Sequence, residues 1–165
     1  MNKDTKKQLL DLIEKLDTEL DDAKTKLFWD DSGSKQQKNE KVGCNQFRSL
    51  AENCRAADCY EEIKLLVEYK TAKASKGNSW QFPCGKDKKA FGIIITEYME
   101  KVKKLDDAEI MENLQYFFGY LYWKARIWAA AAQPQENNRD HGNHQNNNGN
   151  NHGNGYGNRG NQRKY

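Results

Sequence analysis

Two groups of cations are the residues of this chain best placed to do chemistry. Arg48 and Arg55 stand seven apart, about two helical turns, and so share one helix face. Lys70, Lys73 and Lys76 fall at i, i+3 and i+6, a stripe towards the end of the following helix. Cations aligned on adjacent helices can follow a phosphate backbone, each contact being independent of base sequence. The same spacing also fits a solvated face whose lysines offset the helix dipole. Lys124 and Arg126, two apart, must point to different sides of their helix, and one of them is expected to answer an internal carboxylate or a partner.

Other chemistry lacks its residues. The histidines, His141, His144 and His152, all fall in the last stretch of the sequence, so the helical part before it has no imidazole for general-base work. There is no glycine-rich phosphate loop, no Gly-x-Ser-x-Gly and no His-Glu-x-x-His. Carboxylates alternate with lysines in the pattern of solvated helix faces; Asp21-Asp22 and Asp106-Asp107 read as surface and cap. Cys44, Cys54, Cys59 and Cys84 show no C-x2-C spacing, and Cys54 and Cys59 read as small buried hydrophobes. We expect no catalysis, no metal and no cofactor.

The elements that must position the cations are helices. Leu9, Leu12, Ile13, Leu16, Leu20, Ala23 and Leu27 recur at three- and four-residue steps, which predicts one amphipathic helix over 4–28, either docked on its own domain or free for a partner. Phe47, Leu50, Ala51 and Cys54 form the stripe of a second helix. Asp58 and Glu61 have capping-box spacing, which predicts a third from there to about Ser75, with Ile63, Leu66, Val67 and Tyr69 inward. Trp80–Gly85 reads as a loop tucked against the core. Asp87 can cap a helix burying Phe91, Ile94, Ile95, Tyr98, Met99 and Val102, and Asp106 with Glu109 can cap the longest apolar segment, Ile110 to Trp128. That segment is apolar on more than one face and should be the central helix of a small all-α bundle.

Composition divides the chain. Of its 165 residues 36% are hydrophobic and 31% charged, too polar for the whole length to bury itself in one core. Residues 1–40, an amphipathic helix and linker, are net acidic; 41–132, the expected bundle domain, are net basic. Residues 133–165 are rich in Asn and Gly with almost nothing to bury, which predicts a disordered tail. No run of eighteen apolar residues exists and the first residues alternate in charge without an apolar stretch, so the expectation is a cytoplasmic chain with no membrane segment.

The order of these features is similar to one family. Cys44-Asn45-Gln46-Phe47-Arg48-Ser49-Leu50 resembles the polar-polar-apolar-Arg opening of the Csm-type small subunit of type III CRISPR effector complexes. Leu65-Leu66-Val67-Glu68-Tyr69-Lys70-Thr71-Ala72-Lys73-Ala74 looks like that family's second helix before its basic turn, and the Tyr98 helix matches the next element in position. Leu114-Gln115-Tyr116-Phe117-Phe118-Gly119-Tyr120-Leu121-Tyr122-Trp123-Lys124 resembles its aromatic final helix. The likeness covers about 42–128. It implies a non-catalytic helical protein in antiviral defence that supports the duplex of guide RNA and target RNA and contacts neighbouring subunits and copies of itself. Arg48 matches the motif Arg; Arg55, Lys70, Lys73 and Lys76 are the further RNA-binding candidates. The first helix, the Asn/Gly tail and the Trp80–Gly85 loop depart from the pattern. An alternative of another class is a protein–protein adaptor that uses the first helix and has no RNA role.

Overall fold

The first apolar stripe folds as α1 (Lys3–Leu20), started by the Asn2 side chain, which accepts hydrogen bonds from the Thr5 amide at 2.8 Å and hydroxyl at 3.0 Å. It does not continue to residue 28 as its periodicity predicts. Asp21 adopts φ 49° and ψ −132°, which ends the helix, and the chain restarts as the short α2 (Ala23–Leu27). Strand β1 (Phe28–Trp29) then pairs in parallel with β2 (Val42–Gly43). Helices α3 (Asn45–Ala56) and α4 (Tyr60–Lys73) follow, then a 3₁₀ turn at Ser79–Gln81. An antiparallel pair, β3 (Pro83–Cys84) with β4 (Lys89–Ala90), leads into α5 (Phe91–Lys103) and α6 (Ile110–Ala131). The computed structural model describes residues 1–30, 40–106 and 108–132, and over these the class is all-α apart from the two-residue strand pairs. The tail expected to be disordered, 133–165, lies outside the described residues.

Three expected caps are corrected. Cys59, not Asp58, precedes α4, in an extended conformation with no side-chain cap. Asp87 lies in the turn between β3 and β4, and α5 starts where the Phe91 amide donates to the Phe82 carbonyl at 2.9 Å, so the strand pair sets its beginning. Asp106 accepts from the Ala108 amide at 3.0 Å, one residue ahead of Glu109, which precedes α6 without capping it. Tyr69, expected inward, is 57% exposed, and Cys59 is exposed rather than buried.

Five rings hold the elements together. Phe28 lies 5.8 Å from Phe47, 5.4 Å edge-on from Phe91 and 5.0 Å stacked on Trp128, while Trp80 sits 6.0 Å from Phe47 and 5.4 Å from Phe91. Trp80, 3% exposed, and Cys84 of this segment are thus in the core, with Phe82 packed against it, as expected, while Pro83 is exposed. Helix α6 is central: it packs most extensively on α3 and next on α1. Leu9, Leu12, Ile13, Leu16 and Leu20 are buried in this same core, so α1 docks on its own chain and 1–40 and 41–132 belong to one unit, Met1–Pro134.

Polar contacts advance together along α1 and α6, so the two helices run parallel. Lys6 lies over the Tyr116 ring, Lys124 reaches Glu14 at 2.9 Å, and the Trp128 indole donates to Asp17 at 2.7 Å. Lys124 therefore answers an internal carboxylate, and so does Arg126, 3.1 Å from Asp30. Asp17 also pairs with Lys24 at 3.0 Å. Partial burial pushes its pKa up, but donors Lys24 and Trp128 and the Lys124 charge outweigh that and hold it below the ordinary aspartate value. Its stabilising contribution is therefore complete above the ordinary value of 3.8 and is lost as pH falls through the lower folded value. Asp17→Asn is expected to cost about 1 kcal/mol at neutral pH. In urea unfolding the gap to the parent should close as pH is lowered to about 2.

Helices α4 and α5 run antiparallel and touch closely. Tyr60 donates to Glu100 at 2.7 Å and Lys64 to the same oxygen at 3.0 Å, while at the other end Gly92 meets Thr71. A Cβ built on Gly92 would lie 1.8 Å from Thr71 Oγ1 and 2.8 Å from its Cβ, so this crossing requires glycine.

Candidate nucleic-acid interface

Helix α3 buries Phe47, Leu50 and Cys54, and this fixes what its flanks present. Gln46 and Arg48 are two residues apart, about 200° around the helix, and therefore lie on opposite flanks of the buried stripe. Arg48 and Arg55 share the flank towards α6 and line a groove of about 270 Å³. Its floor is made by the small residues Ala51 and Gly119, and its far wall by Gln115, Tyr122 and Trp123 of α6. Arg48 Nε donates to Glu52 Oε1 at 3.2 Å, with both side chains more than 60% exposed, an ion pair too solvated to hold the guanidinium against a phosphate. Arg55 is exposed and pairs with no carboxylate among the described residues. Across the groove the Tyr122 hydroxyl accepts from Arg126 at 3.0 Å, and Trp123 is 62% exposed, in ring contact with Tyr120 at 5.8 Å.

The lysines form a different hollow. Gln46, on the other flank of α3, accepts from the Trp80 indole at 2.7 Å and lies 3.5 Å from the Lys70 ammonium. Lys70 and Lys73 line a cleft of about 390 Å³ with Tyr69, Ser75, Ser79 and Trp80. Lys73 stands 5.7 Å from the centre of the Tyr69 ring. Burial lowers the pKa of Lys70, and the charge of Lys73 lowers it further. Lys76 is not in the cleft: α4 ends at Lys73, so the i, i+3, i+6 spacing does not continue as one stripe.

The structure thus places the expected cations in two sites with no lining residue in common, the arginines between α3 and α6 and two of the lysines at the end of α4. Sequence reasoning missed Trp123 and Ile127, both 62% exposed. The signal was present: they are four apart and fall off the stripe of Leu114, Phe117, Leu121, Ala125 and Trp128. Trp80 and Gln46 as walls of the lysine cleft had no sequence signal, because their pairing spans 34 residues.

No disulfide joins any of the four cysteines, and burial pushes the Cys54 and Cys84 thiols up to about 12, far from thiolate reactivity. No group of three or more His, Cys, Asp or Glu side chains among the described residues could hold a metal ion, and none of their helices is long and apolar enough to cross a membrane. The tail histidines lie outside the described residues. No protein-family model matches the chain, and no curated protein or solved structure shows significant similarity to it.

Proposed function

We propose that this chain is a non-catalytic small subunit of a type III CRISPR ribonucleoprotein effector, acting in the cytoplasm in antiviral defence. In this reading the groove between α3 and α6 lies against the duplex of guide RNA and target RNA. The exposed Ile127 and Leu10 meet neighbouring subunits or further copies of the chain. It needs no cofactor. The observation that carries the reading is the pairing of Arg48, the residue that matches the family's motif, with Arg55 on one solvent-facing groove wall. Two guanidinium groups seven residues apart, about 10 Å along the helix, can contact two phosphates of a duplex without reading sequence. In the adaptor alternative the first helix would meet its partner through its exposed face, Leu10 included, since the apolar stripe of α1 is buried in its own core.

Affinity of the full chain for a short RNA duplex, measured against salt, tests the RNA half of this proposal. Two phosphate contacts predict that log affinity falls with log salt at a slope of about −1.8 or steeper. Affinity that does not respond to salt, or no affinity at all, overturns it.

A further inference from the structure

Most lysines that the fold removes in part from water have been given a carboxylate. Lys24 lies 3.0 Å from Asp17, Lys64 3.0 Å from Glu100, Lys103 3.6 Å from Glu61 and Lys124 2.9 Å from Glu14. Lys41 and Lys70, both partly buried, have no carboxylate partner among the described residues, and of the two Lys70 lines a cleft beside a second ammonium. It is half-buried, yet no carboxylate among the described residues lines its cleft, and its neighbours are the Gln46 amide oxygen at 3.5 Å and a second ammonium, Lys73. A cation desolvated without a counter-charge is unfavourable, and here a like charge adds to the cost. Offsetting the helix dipole accounts for Lys73, in the last turn of α4, but not for Lys70, whose ammonium is directed to Gln46 rather than to the final carbonyls.

We infer that the cleft of Lys70 and Lys73 is a phosphate site for a single nucleotide, separate from the arginine groove. Two ammonium groups match the charge of about −2 on a phosphomonoester, where one carboxylate would leave a cation unanswered. The Ser75 and Ser79 side chains also line the cleft and are of the type that donates to phosphate oxygens. At its mouth Tyr69, 57% exposed, offers a ring on which a base can stack whatever its identity. The volume, about 390 Å³, lies in the range of small-molecule sites. The inference deepens the RNA reading for these two lysines and rests on it for the ligand being a nucleotide, but not for the anion site itself. The phosphate could belong to the terminal nucleotide of an RNA strand or to a free mononucleotide.

The test is calorimetric titration of the full chain with uridine 5′-monophosphate, inorganic phosphate and uridine. The nucleotide should saturate below about 1 mM. Phosphate should bind more weakly and uridine not detectably. Lys70→Gln and Lys73→Gln should each weaken the nucleotide about tenfold, the loss of one charged hydrogen bond. Lys73 is exposed, so its variant keeps the test valid should Lys70→Gln fail to fold. Tyr69→Ala should weaken the nucleotide but not phosphate. Arg48→Glu should leave nucleotide binding unchanged while reducing duplex binding, which separates failure of this site from failure of the RNA reading. Competition by a decauridylate carrying a 5′-phosphate places the ligand at the end of an RNA strand; no competition, with the mononucleotide still bound, places it on a free nucleotide. The inference is overturned if the nucleotide does not saturate below 1 mM, or if both lysine variants bind it as the parent does. Displacement of the nucleotide by a hexaglutamate peptide of higher affinity would overturn it equally.

Discussion

Gly92→Ala is expected to destabilise the protein by about 2 kcal/mol, although alanine is the better helix former. The helix-propensity gain is at most about 1 kcal/mol. Against it stands overpacking, at up to about 3 kcal/mol. The added Cβ would fall 1.8 Å from Thr71 Oγ1, 2.8 Å from Cβ and 2.9 Å from Cγ2, so no rotation of the threonine clears it. Thr71 is also held by its hydroxyl, which donates to the Val67 carbonyl at 2.8 Å. Helices α4 and α5 must therefore separate. For a unit of this size the melting temperature should fall by roughly 5–10 °C. Gly119→Ala is the internal control, because nothing lies within 4 Å of its Cβ and the propensity gain stands alone. That variant should be neutral or more stable. A stabilised Gly92→Ala would contradict the close crossing of the two helices.

Arg48→Glu combined with Arg55→Glu is expected to weaken binding to an RNA duplex by on the order of 100-fold at about 0.15 M salt. Each lost charge-assisted phosphate contact is worth about tenfold. The introduced carboxylates add repulsion, which makes this a lower bound. Both side chains are exposed, and among the described residues Arg48 is ion-paired only with the equally exposed Glu52, so helicity and melting temperature should stay near the parent values. Unchanged RNA affinity in a folded double variant would remove the arginine groove from the interface.

How far the sequence could be read depends on the distance over which each feature is determined. Helix α6 was legible because its apolar residues recur at helical spacing from Ile110 to Trp128, and the docking face of α1 for the same reason. The break at Asp21 was not, because the apolar pattern runs through it unbroken and only the backbone records a positive φ. The caps misled because aspartate spacing is a local signal. The start of α5 is decided by the pairing of β4 with β3, and Asp106 satisfies a nearer amide than the one expected of it. The parallel contact of Phe28–Trp29 with Val42–Gly43 joins segments too short and too far apart to show alternation. In the candidate site the identities of the cations were legible and their grouping was not. Arg48 and Arg55 share a face by spacing alone, whereas the lysines were separated from them by the fold of α3, which turns Gln46 and Arg48 to opposite sides.

The central claim, that the chain works within a guide-RNA effector, is tested most directly by purifying the tagged full chain from its native host. The bound nucleic acid would be sequenced and the co-purifying proteins identified. The account predicts short RNAs that share a repeat-derived end, together with several larger subunits, and their loss when Arg48 and Arg55 are both replaced by Glu. Protein partners recovered without RNA would contradict it and would return the chain to the class of adaptors.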